Sequence, residues 1–505
     1  MIESSSTSEK GSALRKYQMF IDGAGVDPSG GQWFEARNPY TGDTWALIPR
    51  GSPEDVDAAV LSAHRAFTQG DWPRLTASDR GSMLVRLGQV LEKHAEHLAE
   101  IEVRDNGKLY AEVLNQCRYL TKWFHYYGGL ADKLEGSVPP IDKPNILNYT
   151  KHEPLGVCAC ITPWNSPLLL MAWKVAPALA AGNTVVIKPS EETSASTLEF
   201  AALLNEADIP PGVINVVTGY GHDVGEALVS HPKVRKIAFT GGEAGGRAVN
   251  IAAAQNFKRV TLELGGKSAN IVFDDANIDN AINGAISGIF AATGQICIAC
   301  SRLLLQRSIH DTFLERLLGS LQGIRFGDPM DPLTQIGPVT TKAQYETILR
   351  YIDIAKKEGA RCILGGKAAT PPEGAKGYFV EPTIFADVTP RMRIAQEEVF
   401  GPVLAVLPFD DEEEAIAIAN DVNYGLAAGV WTNDLRRSLY MADKLQAGTV
   451  WVNTYRSISY TTPFGGYKRS GIGRENGVEA IKEYTQTKSV WLSSATEVAS
   501  PYIRR

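Results

Sequence analysis

From residue 155 to residue 275, short runs of β-branched and other apolar residues alternate with stretches whose apolar residues recur every three to four positions. The runs are LGVCACI, NTVVIKP, VINVVTG, RKIAFTG, RVTLELGG and ANIVFDD, with helical patterns at 168–181, 194–205 and 222–230 between them. Strands buried on both faces read as continuous apolar runs, and parallel neighbours need a crossover that is usually a helix. The alternation therefore predicts βαβ units around a parallel sheet, an α/β fold. A second alternating region covers roughly 280–455, with SRLLLQ, RCILGG, TIFADV, GPVLAVLPF, AAGVWT and GTVWVN as strands. Two such regions fit a cofactor domain beside a catalytic domain. Ahead of them, 53–70 and 76–105 carry the period of amphipathic helices.

A chain of 505 residues accommodates about two to four domains and a large core. Its 44% apolar and 21% charged residues are ordinary for a globular protein, and its net charge of −7 argues against nucleic acid or an anionic membrane as partner. The N-terminal MIESSSTSEKGS lacks a basic region followed by an apolar one, so it does not read as a secretory signal. Residues 1–15 are expected to form a disordered tail, and the protein is expected in the cytoplasm. The apolar stretch 166–181 is too short to span a bilayer and is interrupted by Lys174 and Pro177, so it reads as a buried helix.

Six cysteines in a chain of this length form no disulfide framework. Cys158 and Cys160 alternate within an apolar run and read as a buried strand. Cys297 and Cys300 have the spacing of a redox or metal pair, but no second pair and no histidine accompany them, and no metal site is expected. His94 and His97 sit in a charged helical stretch and read as a solvated face.

The segment 263–302 begins ELGGK and ends GQICIACSR, which sets the carboxylate of Glu263 and the thiol of Cys297 each within three residues of a glycine. A thiol that attacks a carbonyl needs a base, and glycine lets backbone approach a ligand closely. Taken alone, the two residues read equally as a strand-end carboxylate and an inert buried cysteine. Three more segments fit the same chemistry: ITPWNSP at 161–167, VIKPSEET at 186–193 and EEVFGPV at 397–403. These five segments, in this order, resemble the aldehyde dehydrogenase superfamily, in its non-acylating, hydrolytic form. The resemblance runs from about residue 20 to residue 492.

It implies a Rossmann-type cofactor domain at 16–133 and 157–262, a catalytic domain at 263–477, and a small β oligomerisation sheet built from 134–156 and 478–505 in a homo-dimer or homo-tetramer. It implies that Cys297 attacks a small-molecule aldehyde and that the Asn165 amide and the Cys297 N–H hold the oxyanion. Hydride then passes to a nicotinamide, and Glu263 activates the water that hydrolyses the thioester. Relatives that transfer the acyl group to coenzyme A generally lack this glutamate, so its presence points to a free acid. Lys174 and Glu475 resemble a supporting pair.

For the cofactor, Gly221 and Gly225 follow the strand VINVV in a turn that can feed phosphate to a helix N-terminus, although a plain tight turn fits as well. The resemblance places the pyrophosphate instead near Phe239, Thr240, Gly241 and Gly242, with Gly242 where the family usually has serine. Lys188, Ser190 and Glu191 follow the strand TVVI, where a nucleotide ribose lies in an open α/β sheet. The Glu191 carboxylate would repel a 2′-phosphate, which favours NAD over NADP. Ile161, Thr162, Pro163, Trp164 and Leu264 complete the implied site, with Glu398 on the nicotinamide ribose and Phe400 beside the ring.

The implied substrate tunnel holds Ser166, Trp173, Ile296, Ile298, Tyr455, Arg456 and Ile458. Ser166 stands where many relatives have an aromatic residue, which predicts a tunnel that is roomy and apolar near the carbonyl. Arg456 either pairs with a substrate carboxylate or makes a surface or subunit contact. Cys300, where a glycine is common, reads as a packed side chain, the alternative being a disulfide or sulfenamide-type resting state with Cys297. The expected substrate is a medium-length, aryl or semialdehyde compound. A thiol-dependent esterase without net redox is a second reading, but it leaves 188–191 and 239–242 without a purpose. A catalytically silent member is a third, opposed by the intact Cys297, Glu263 and Asn165.

Overall fold

A computed structural model describes residues 14–497 and 500–502. The architecture is α/β, with an eight-stranded and a seven-stranded sheet. Five parallel strands form the middle of the first: Arg259–Glu263, Val234–Thr240, Val157–Ile161, Thr184–Lys188 and Ile214–Val216. Val157–Ile161 and Thr184–Lys188 are buried at every position, which is why they carry no polar alternation. Ile161 is in register with Lys188 and Phe239, and Thr240 with Glu263, so four strands end together along one rim. Antiparallel strands close both edges: Met19–Ile21 with Ala24–Val26 at one, and Gly471–Ile472 at the other.

The second sheet runs Arg361–Leu364, Thr383–Ala386, Val403–Phe409, Arg302–Gln306, Ala269–Val272, Ala427–Trp431 and Thr449–Val452. All are parallel except the first. The run ANIVFDD thus belongs here, between Arg302–Gln306 and Ala427–Trp431, rather than to the first series. The chain leaves the first sheet at Glu263, and the edge it vacates is taken by Gly471–Ile472.

Helix Pro53–Thr68 opens on a reciprocal cap between Ser52 and Asp55, and helix Ala77–Lys93 on the same arrangement between Thr76 and Asp79. The single helical period expected over 76–105 is two helices. It breaks at His94 (φ −103°, ψ 12°), whose imidazole lies 2.9 Å from Glu206, and resumes as Ala95–Asn106. Helix Tyr110–Leu130 matches none of the segments read above; its crowd of aromatic residues obscures a helical period. Among the described residues no helix is long and apolar enough to cross a membrane.

The expected tail at 1–15 lies outside the described residues as far as residue 13. At its end the expectation is corrected: Arg15–Lys16 pairs with Ala46–Leu47, and the Arg15 guanidinium lies 2.5 Å from the buried Glu199 carboxylate. Strand Ile146–Pro154 pairs antiparallel with Thr485–Ser493 over its whole length. Residues 481–484, within the segment 478–505 expected to build the small sheet, belong instead to the 3₁₀ turn Val478–Tyr484, and Ala480, Ile481 and Tyr484 tuck into the core. The paired ribbon leaves Leu147, Trp491 and Leu492 about half exposed.

Candidate active site

A cavity of about 970 Å³ opens along the rim where the parallel strands end. Every residue named above for the cofactor lines it: Ile161 to Trp164, Lys188, Ser190, Glu191, Gly221, Gly225, Phe239 to Gly242, Leu264, Glu398 and Phe400. Asn165 and Cys297 line it too. The sequence reading missed Gly245, Val249 and Ala252, which face the cavity from helix Glu243–Ala254. Their three-to-four spacing is the only signal they carry, and it is also that of an ordinary packing stripe.

Gly242 is the N-cap of helix Glu243–Ala254, in extended conformation and with no side-chain cap. A Cβ built on it meets nothing within 4 Å, so the helix N-terminus is open to the cavity. Gly221–Gly225 forms one wide turn before the five-residue helix Glu226–Ser230, too short to focus much dipole. The Lys188 ammonium donates to the Pro189 carbonyl at 2.9 Å and lies 3.4 Å from Glu191. Burial lowers its proton affinity and the Glu191 charge opposes that. Glu398 accepts a hydrogen bond from the Gly266 N–H at 3.0 Å, and burial pushes its carboxyl up to about 7. Phe400 has φ 56° and meets the Trp164 ring edge-on, with centroids 5.2 Å apart.

Cys297 follows three consecutive left-handed residues, Ala292, Thr293 and Gly294 (φ 50°, 54° and 71°). Non-glycine residues adopt this conformation only where their surroundings hold them. Here Thr293 Oγ1 donates to Gly337 O at 3.1 Å, Gln295 Oε1 accepts from the Thr340 N–H at 2.9 Å, and Asn165 Nδ2 donates to Gln295 O at 2.9 Å. A Cβ on Gly266 would strike the Cys297 carbonyl oxygen, so glycine is required for this approach. Burial first, then the Glu398 and Glu263 charges, push the half-buried Cys297 thiol up to about 12.

Glu263 ends its strand 3% exposed, and neither carboxylate oxygen has a hydrogen-bond partner. Burial and the nearby Glu475 raise its proton affinity well above the carboxylate range, against the pull of Lys174 and Arg474. Lys174, fully buried on helix Pro167–Ala180, donates to Thr240 Oγ1 at 2.6 Å and forms an ion pair with the buried Glu475.

The residues expected to line a substrate tunnel separate. Trp173 is buried and stacks on Trp123 at 5.9 Å, Ile296 and Ile298 are buried beside Cys297, and Ile458 packs at the core margin. Tyr455 lies behind the wall: it is buried, and its hydroxyl donates to Ile298 O at 3.0 Å. It supports the backbone beside Cys297 instead of facing a ligand. Ser166 does not widen an apolar passage, because its hydroxyl accepts from the buried Lys108 ammonium at 3.0 Å. Arg456 donates to Glu112 at 2.8 Å and to Ser287 O at 3.1 Å while lining a second cavity of about 450 Å³. Cys300 is buried, unpaired with Cys297, and points its thiol at Ala285 O.

The model of the aldehyde dehydrogenase family matches residues 26–490. The chain is 46% identical over 495 residues to (Z)-2-((N-methylformamido)methylene)-5-hydroxybutyrolactone dehydrogenase of Acinetobacter baylyi, covering 97% of this chain and 100% of that one. It is 45% identical over 476 residues to human aldehyde dehydrogenase 1A1, covering 94% of each. The solved NAD+ complex of an aldehyde dehydrogenase from Bacillus cereus superposes with a TM-score of 0.93 at 45% identity, over 95% of this chain and 97% of that one.

Proposed function

This chain belongs to the aldehyde dehydrogenase family, and from that premise we propose that it oxidises an aldehyde to the carboxylic acid with NAD, through a thiohemiacetal and then a thioester on Cys297. The observation that carries this reading is the single cavity shared by the Cys297 thiol, the Asn165 amide and the nucleotide-type strand ends. The open N-terminus at Gly242 suits a pyrophosphate, and Lys188 with Glu191 suits an unphosphorylated ribose. Bound NAD would supply the hydride acceptor. The Bacillus cereus relative holds NAD+ in its solved structure.

Cys297 Sγ attacks the aldehyde carbon and gives up its proton to a base. The Asn165 amide and the Cys297 N–H steady the oxygen as it gains charge. After hydride loss the thioester remains, and Glu263 takes a proton from the water that attacks it, releasing the acid and restoring the thiol. A buried carboxylate of raised proton affinity is a stronger base than a solvated one. The Lys174–Glu475 pair makes no hydrogen bond to Glu263 but modulates its proton affinity after burial, the Glu475 charge raising it and the Lys174 charge lowering it. Lys188, Ser190 and Glu191 hold the adenosine ribose, Glu398 the nicotinamide ribose, and Phe400 the ring side.

The substrate class is a medium-length, aryl or semialdehyde compound. The nucleotide domain is assigned to 16–133 and 157–262, the catalytic domain to 263–477, and assembly to 134–156 and 478–505, in a cytoplasmic homo-dimer or homo-tetramer. The half-exposed Leu147, Trp491 and Leu492 on the terminal ribbon support a partner copy.

The test is nicotinamide absorbance with a panel of aldehydes. Wild type should form NADH, and Cys297→Ala should form none while still binding NAD. Glu263→Gln should keep a first burst of NADH and lose steady turnover. Ester hydrolysis with no NADH from any aldehyde would overturn the reading in favour of a thiol hydrolase.

A further inference from the structure

Leu170 of helix Pro167–Ala180 lines the cavity that holds Cys297, and the preceding residue, Leu169, lines a second, of about 450 Å³. Glu112, Arg118 and Arg456 are among the residues that line the second, although the surface turned toward it is mainly apolar, so a charged group entering it meets few polar partners besides them. Behind this wall lies Lys108, its side chain 1% exposed. Its ammonium reaches Ser166 Oγ at 3.0 Å, Gln116 Oε1 at 3.4 Å and the Glu112 carboxylate at 4.0 Å. Glu112 also accepts from Arg456 at 2.8 Å, so one carboxylate serves two cations. Arg118 pairs with Glu96 on the outer surface at 3.0 Å. Glu102 faces Lys108 from the core side, where burial pushes its carboxyl up to about 7, so at neutral pH it offsets Lys108 only in part.

We propose that the second cavity receives a carboxylate at the far end of the substrate, with Arg456 as its principal partner, and that Lys108, Ser166 and Glu112 hold Arg456 and the wall in place. This rests on the aldehyde-oxidising reading of the Cys297 cavity and names its substrate class: aldehydes that end in a carboxylate. Three observations converge on it. Ser166 is small enough to admit the Lys108 side chain and carries the oxygen that accepts from it; a ring there would leave a buried ammonium short of a partner. Arg456 has φ 63°, a conformation that arginine holds only under constraint, and its contacts with Glu112 and Ser287 employ two of its five N–H groups. Both terminal nitrogens are thus engaged once each, and the other three N–H groups make no hydrogen bond among the described residues, which leaves donors that suit a carboxylate. Finally, Tyr455 links this segment to the reacting centre, because its hydroxyl holds Ile298 O beside Cys297 while the next residue is Arg456.

The experiment compares kcat/KM, with NAD, for aldehydes of equal length that end in a carboxylate or in a carboxamide. Wild type should prefer the carboxylate by about tenfold or more at the best length. Arg456→Gln should collapse that ratio to about one, mainly through KM, and Arg456→Lys should restore part of it. Ser166→Ala should lower the ratio by less, through the loosened Lys108. A wild-type ratio of about one or below, or a ratio that survives in Arg456→Gln, overturns the proposal. No NADH from either aldehyde would instead sink the underlying reading. If Arg456→Gln fails to fold, unreactive dicarboxylates and their monoamides are titrated as inhibitors of wild type. Competition by the dicarboxylate alone, weakening with added salt, is the expected result, and equal inhibition by both overturns the proposal.

Discussion

The Glu398 carboxylate occupies the space that a side chain on Gly265 would need, and the next residue, Gly266, donates its N–H to that carboxylate at 3.0 Å. Gly265→Ala should therefore displace Glu398 without harming the fold, because the glycine has no left-handed φ to relinquish. The expected result is a rise of about tenfold in KM for NAD and a fall in kcat, with thermal stability nearly unchanged. Steady-state kinetics with NAD varied checks this, and an unchanged KM would show that Glu398 does not hold the cofactor.

Gly242 offers the opposite case. Nothing lies within 4 Å of its missing Cβ, and it caps a helix whose first N–H groups face the cavity. Gly242→Ser adds a cap worth a few tenths of a kcal/mol over glycine and a hydroxyl for the phosphate. NAD should bind about two- to fivefold more tightly. Calorimetric titration of NAD measures it, and weaker binding would place the pyrophosphate elsewhere.

The Cys297 thiol, pushed up to about 12, should react slowly with iodoacetamide in cofactor-free protein. Its rate should rise close to tenfold per pH unit from about pH 7 to pH 10, where only the growing thiolate fraction limits it. Glu398 is ionised in the upper part of this range and repels the thiolate, so Glu398→Gln should lower the thiol pKa and quicken alkylation at pH 9. Peptide mapping separates Cys297 from the half-buried Cys362. A rate that levels off near pH 8 would mean that the thiol is already activated in the free protein.

Removing one partner of a buried ion pair leaves the other charge unpaired. Lys174→Met should cost about 3–5 kcal/mol and lower Tm by several degrees. Lys174→Met combined with Glu475→Gln should recover much of that loss, because no uncompensated charge remains. Denaturant unfolding of the two variants tests this. Additive losses would mean that the pair is not energetically coupled.

The central strands were legible because burial on both faces leaves an apolar run with no competing pattern, as at Val157–Ile161 and Thr184–Lys188. An apolar run does not say which sheet it joins, so Ala269–Val272 was grouped with the wrong neighbours. The break at His94 was hidden because the apolar period resumes in phase after it. Lys188 to Glu191 and the Gly221–Gly225 turn were legible as segments that follow strands, whereas Phe239 to Gly242, Glu398 and Phe400 were singled out by the family resemblance, and all of them line one cavity. Glu263 and Cys297 carry only a glycine-rich context, which is a weak signal, and Lys174 and Glu475 carry no local pattern, so the family resemblance was needed to single them out. Lys108 was missed altogether: Asn-Gly-Lys reads as a surface turn, and the Ser166 that makes it a buried cation lies 58 residues away. A charge cluster formed across that separation has no period to reveal it.

The ribbon formed by Ile146–Pro154 and Thr485–Ser493 joins residues that are made far apart in time, since Lys488 follows its partner Glu153 by 335 positions. During synthesis at about 5–20 residues per second, the earlier strand waits tens of seconds with its backbone edge bare. An unpaired edge is open to pairing with other chains. The alternation of Lys151 and Glu153 with less polar residues puts charge on that waiting strand, so Glu153, which later pairs with Lys488 across the ribbon, and Lys151, which pairs with Glu153 on the same strand, can keep nascent chains apart. Closing so long a loop is also slow relative to the local βαβ units. The ribbon therefore pairs after the local βαβ units have formed.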